Sequence, residues 1–166
     1  GDTNPDLVVG QAGGPLAAWL GEPGGTGSFL PADAVVPPVP LDVVALTLAD
    51  ADGDFDPDLA VAVRGAGMRL YVDREGHLED QSFVRLPQPA PRATAIAFGG
   101  WDTGCEPDAV IAAATESSAL RGEPGGALVA DAAGPGASDV VMVDLDDDGD
   151  LDAVLATPEG VRWFAR

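Results

Sequence analysis

Residues 143–156 read VDLDDDGDLDAVLA: six carboxylates fall within the nine residues 144–152, and an apolar run follows at once. Carboxylates this close repel one another, and each resists leaving water. The segment therefore stays solvated or surrounds a positive charge. A chain already at a formal net charge of −20 gains nothing from a further negative cluster unless a counter-ion sits in it. The pattern also occurs twice. Residues 48–63 read LADADGDFDPDLAVAV, with aspartates at 50, 52, 54, 56 and 58 in the spacing of Asp144, Asp146, Asp148, Asp150 and Asp152.

The aspartate closing each loop reveals a longer repeat. Asp6 (NPDLVVG), Asp58 (DPDLAVAV), Asp108 (EPDAVIAA) and Asp152 (DLDAVLA) stand 52, 50 and 44 residues apart, and each opens an apolar run. A β-type run precedes three of them, at 42–50, 93–100 and 139–145. A second β-type run follows each one, at 16–20, 68–72, 118–121 and 161–165. The turns GEPGG (21–25), DREGH (73–77) and GEPGG (122–126) come next, and then a weaker run near Phe29, Leu78 and Leu128. Four short strands in about 40–50 residues are the signature of a β-propeller blade.

This reading predicts an all-β chain, a β-propeller segment of about four blades of four strands, with repeats at approximately 1–40, 41–90, 91–137 and 138–166. Residues 1–166 form one such domain or part of one. The first repeat starts inside its acidic loop and the last stops after its third strand, so both end blades are expected to be incomplete. Their missing parts are expected from further sequence, from neighbouring polypeptides, or from a second copy closing an eight-blade ring. Ala45, Ala95 and Ala97 suit crowding near the axis. Trp19, Tyr71, Trp163 and Phe164 are expected as core in the wider gap between blades.

In the two full loops, Asp50, Asp52, Asp54 and Asp58, and Asp144, Asp146, Asp148 and Asp152, occupy positions 1, 3, 5 and 9. Alternate side chains converge if the loop curls around a point, and an all-oxygen donor set selects a hard cation, Ca²⁺ over Mg²⁺. Asp56 and Asp150, at position 7, are expected to offer their main-chain carbonyls. An EF-hand also begins D-x-D-x-D-G, but its position 12 is a bidentate Glu; here position 12 is Val61 or Leu155. The third loop keeps only Asp102 and Asp108, with Cys105 at position 6, and is expected to hold no tight metal. The first keeps Asp2, Asn4 and Asp6, a partial site.

Apolar residues make up 46% of the 166, enough for a core, and 22 Gly with 15 Pro favour short strands and turns. The acidic balance excludes nucleic acid and anionic membrane surfaces as partners. No apolar run is long enough to span a membrane. The lone Cys105 allows no intramolecular disulfide. His77 is the only histidine, and no serine sits in a nucleophile motif, so no catalytic constellation stands out and a non-enzymatic role is expected. The GEPGG segments lack the lysine of a phosphate loop and read as hairpin turns.

The segments at 48–63 and 143–156 resemble the FG-GAP/VCBS repeats of integrin-α-like β-propellers, and turns such as MRLYVDREGHLED (68–80) are most similar to bacterial members. The resemblance implies Ca²⁺ in the inter-strand loops and an extracellular, cell-surface or periplasmic setting. Phe55 stands where the family prefers glycine. The function it implies is a calcium-binding structural and protein-interaction module, part of a larger extracellular protein or complex. The alternatives are a lectin-like glycan-binding propeller, marked by exposed tryptophans, and an accessory domain of a secreted hydrolase.

Overall fold

The computed structural model describes residues 4–24, 27–32 and 34–165. The strands follow in chain order. β1 (Leu7–Val9), β3 (Ala17–Gly21) and β4 (Phe29–Pro31) form sheet I, while β2 (Gly14–Pro15) pairs with β5 (Pro40–Leu41) in a short ribbon beside it. Sheet II is the meander β6 (Val43–Ala49), β7 (Asp58–Val63), β8 (Gly67–Arg74) and β9 (His77–Asp80). A single helical turn, α1 (Ser82–Arg85), leads to sheet III: β10 (Ala95–Gly99), β11 (Asp108–Ala112), β12 (Glu116–Glu123) and β13 (Ala127–Pro135). Sheet IV comprises β14 (Asp139–Val143), β15 (Asp152–Thr157) and β16 (Gly160–Phe164). All pairings are antiparallel.

The sheets stack face to face, and period-two alternation shows how. In β7, Leu59, Val61 and Val63 pack with Leu16, Ala18 and Tyr71 between sheets I and II. The alternate residues Ala60 and Ala62 turn the other way, joining Met68, Leu70, Ile111 and Leu120 between sheets II and III. In β11, Ala109 and Ile111 face sheet II, while Val110 and Ala112 meet Val140, Ala153 and Leu155 of sheet IV. A strand buried on both faces reads as continuous apolar sequence, as DLAVAV does. Each fully buried Leu, Val or Met adds about 1.5–3 kcal/mol, and no single sheet could bury both of its faces alone.

The first strands meet at the hub of the fan: β10 touches β6 on one side and β14 on the other. Ala45, Ala95 and Ala97 lie there against the core clusters and allow the close approach. Sheets II and III have four strands, and sheets I and IV have three among the described residues. The four sheets thus carry the blade architecture expected from the repeat, without a closed ring among the described residues.

One packing expectation fails. Tyr71 is buried between sheets I and II, but Trp19 is only half-buried, Trp163 is 52% exposed and Phe164 39%. Trp163 lies opposite Val154 in register, on the side of sheet IV away from sheet III, and no described element covers that side. Phe164 pairs with Ala153 on the inner side and borders an apolar cavity of about 70 Å³ beside β13. The ribbon β2–β5 and helix α1 were not foreseen. The ribbon is two residues long with a proline in each strand, and α1 is one turn anchored by buried Ser82, whose Oγ accepts the Leu70 N–H at 3.0 Å. Neither leaves a periodic pattern.

Candidate metal centre

The β6–β7 and β14–β15 connections fold alike because their first aspartates organise them. Asp50 Oδ1 accepts the N–H groups of Gly53 (2.7 Å) and Asp54 (3.1 Å), and its Oδ2 accepts that of Phe55 (3.0 Å). Asp144 Oδ1 accepts the Asp147 N–H (2.7 Å) and its Oδ2 that of Gly149 (3.1 Å). Asp54 and Asp148 each take the N–H two residues on, at 3.0 Å. Both loops place positions 4 and 6 in the left-handed region: Gly53 (φ 79°) and Phe55 (φ 71°) in one, Asp147 (φ 68°) and Gly149 (φ 95°) in the other. A left-handed Phe is strained by about 1 kcal/mol or more, so Phe55 adopts the conformation that the glycine preference serves instead of distorting the loop.

The curl brings carboxylates together. Asp50, Asp52 and Asp54 each offer an oxygen within 4.8 Å of the others, as do Asp144, Asp146 and Asp152. Either cluster could hold a metal ion. The first group leaves out Asp58 and the second leaves out Asp148. The Asp56 side chain is exposed and that of Asp150 half-buried, and neither belongs to a cluster. Asp2, of the partial first site, lies outside the described residues. Asp6 Oδ1 accepts the Gly21 N–H at 3.0 Å, and Asn4 stands half-buried near the start of β1.

The ninth-position aspartate has a second role, visible in every repeat. Asp58 is 1% exposed and accepts the N–H of Ala51 and that of Asp73, both at 2.8 Å. Asp108, also 1% exposed, accepts those of Trp101 (2.7 Å), Asp102 (2.9 Å) and Gly122 (2.7 Å). Asp152 takes the Leu145 N–H at 2.9 Å. Asp58, Asp108 and Asp152 thus stitch the loop entrance to their own strands, and Asp6, Asp58 and Asp108 reach the third strand. This explains why the third loop keeps Asp108 after losing positions 1 and 5. Asp102, at position 3 of that loop, accepts the Gly104 N–H at 2.6 Å.

Burial pushes the Asp58 carboxyl above the usual range, against the two backbone N–H groups that favour its charged form; Asp52 and Asp54 push it further up. Asp146 is raised too, by desolvation and then by Asp148, Asp152 and Asp144. Both groups hold their protons more tightly folded than unfolded. They stabilise the fold at low pH, and that contribution is lost as pH rises through their folded pKa values. A dication among the carboxylates opposes this loss by favouring the charged forms.

One atom tests directly whether a cation fits. Asp52 Oδ1 is buried and lacks a hydrogen-bond partner, a costly state for a carboxylate oxygen that a metal ligand bond would satisfy. The donor set is oxygen throughout, which matches a hard cation.

The sequence reading missed two cations at the first loop. Arg74 donates to Asp52 Oδ2 (2.9 Å) and Asp54 Oδ2 (3.2 Å), and Arg85 to Asp52 Oδ2 (3.1 Å). A signal was present in the turns: Arg74 of DREGH stands where both GEPGG turns carry glutamate, Glu22 and Glu123.

Residues 1–61, which include the first full loop, match the family model described as FG-GAP-like repeat. No curated protein matches the chain. Outside the matched stretch, the acidic loop of 50–58 is repeated at 144–152 and blade-like antiparallel sheets continue, so the likeness to FG-GAP-like repeats extends beyond residue 61.

Proposed function

We propose that the chain is a calcium-binding β-propeller module that serves as a rigid structural and protein-interaction unit of an extracellular, cell-surface or periplasmic protein. The observation that carries this reading is the pair of carboxylate clusters in equivalent loops, one containing a buried carboxylate oxygen with no partner. Asp50, Asp52 and Asp54 would hold one ion and Asp144, Asp146 and Asp152 the other. Asp58, Asp148 and the main-chain carbonyls of Asp56 and Asp150 belong to the same proposed sets. Bound calcium supplies charge and cross-linking only: two ions take the formal charge from −20 to −16 and tie each first strand to its second. Extracellular calcium modules work with dissociation constants of about 10⁻⁴–10⁻³ M, which suits loops this exposed. FG-GAP-like repeats are structural units, and no helix among the described residues is long and apolar enough to cross a membrane.

The interaction half of the proposal rests on the outer sides of the stack. Leu7, Val9 and Phe29 are exposed on sheet I, and Val141, Val143, Val161 and Trp163 on sheet IV. These are the residue types that the inner faces bury against the next sheet, so a further blade or a protein partner is the fitting occupant. The glycan reading draws on Trp163. Its row neighbours on that face are Val154 and Val141, which offer a sugar no hydrogen bonds. The purified chain is therefore expected to self-associate with rising concentration in light scattering, and Trp163→Glu to weaken that association. A chain that stays monomeric at high concentration contradicts self-association through these faces.

A further inference from the structure

The two acidic loops share a backbone path but not an electrostatic setting. Loop 50–58 already contains positive charge. Asp52, with a side chain only 7% exposed, gives Oδ2 to both Arg74 and Arg85. Arg74 also bridges to Asp54, and Arg85 donates to the Gly125 carbonyl in the β12–β13 turn of sheet III at 2.6 Å. Loop 144–152 has no such partner: among the described residues, no arginine pairs with Asp144, Asp146, Asp148 or Asp152. The arginine at 74 is specific to the second repeat, because the corresponding turn positions in the first and third repeats are Glu22 and Glu123.

We propose that Arg74 and Arg85 make these loops unequal cation sites: calcium binds loop 50–58 more weakly than loop 144–152, and binding there displaces Arg74 from Asp52 and Asp54. This rests on the calcium reading above and names the residues that grade it. A guanidinium beside a carboxylate lowers the attraction that a dication feels there, and the ion must also replace the hydrogen bonds it breaks. The unpartnered Asp52 Oδ1 leaves that carboxylate one oxygen that neither arginine occupies. The two arginines differ in exposure. Arg85 is 10% exposed, set between Asp52 and the Gly125 carbonyl, while Arg74, bonded to Asp52, Asp54 and the Asp73 carbonyl, is 40% exposed and has solvent to move into. Arg74 is therefore the competitor, and Arg85 the fixed strap from the loop to the next sheet.

Calorimetric titration of the full 166-residue chain with CaCl₂ tests this. The wild type is expected to show two affinities. Arg74→Gln should tighten the weaker site by roughly tenfold and leave the tighter one unchanged. Arg74→Lys, which keeps the charge, should leave the weaker site weak. Asp146→Ala should remove the tighter site and spare the weaker. Two equal affinities in the wild type, or a weaker site that Arg74→Gln does not change, would overturn the inference while leaving calcium binding intact. No binding in any variant would overturn the calcium reading and the inference with it.

Discussion

Asp108→Ala is expected to lower the melting midpoint by about 10 °C, by the same amount in calcium and in chelator. The side chain is 1% exposed and accepts three backbone N–H groups, from Trp101, Asp102 and Gly122. Truncation leaves these three donors without the acceptor that now satisfies them. Each buried donor left unpaired costs about 1–3 kcal/mol, and for a chain of this size each kcal/mol moves the midpoint by about 2–4 °C. Asp108→Asn keeps an acceptor oxygen and should recover part of the loss. The calcium-independence is the informative part, because it separates the stitching role of the ninth-position aspartate from ligation. Differential scanning calorimetry with and without chelator reads both. A loss confined to the calcium-loaded protein would assign Asp108 to a metal site instead.

Asp146→Ala should have the opposite signature, nearly silent in chelator and large in calcium. Asp146 is exposed and belongs to the three-carboxylate group of the last loop. Its side chain makes a local hydrogen bond with the Asp148 backbone, within the loop, and its carboxyl is raised by desolvation and by the charges of Asp148, Asp152 and Asp144. Removing it from the cation-free protein relieves repulsion. In calcium it removes a ligand. At a hundredfold excess over the dissociation constant, one site contributes about 2.7 kcal/mol, or about 5–10 °C here, and most of that gain should disappear. Asp150→Ala, whose side chain lies outside the cluster, should keep it. Equal losses in both variants would show that the loop is answering to charge in general and not to a ligand set.

The repeat was the legible part. Aspartates about 50 residues apart, each before an apolar run, gave the strand order of sheets II and III and the hub of small residues at Ala45, Ala95 and Ala97. Strand period and turn chemistry are local, so they are written in local sequence. The doubled burial of β7 and β11 was legible for the same reason, as runs without polar alternation. What stayed hidden depended on neighbours in space. Arg85 reaches Asp52 from 33 residues away, and nothing in a one-turn helix announces that contact. Trp163 looks like core by composition, yet faces outward because burial depends on what lies against the sheet. Asp108 looked like the remnant of a lost metal loop. Its three backbone partners, two of them six and seven residues upstream and one on the third strand, show it to be a structural residue in its own right. Phe55 stands where the family prefers glycine, and the backbone there takes the same left-handed turn as at Gly149.

Calcium in the two acidic loops should support the fold of the unaltered chain, which its melting curve in a calcium series against chelator reads at fixed pH and ionic strength. The midpoint is expected to climb with free calcium, by about 5 °C or more at saturation, and to return to its starting value on chelation. A midpoint that does not move between chelator and millimolar calcium would contradict this support.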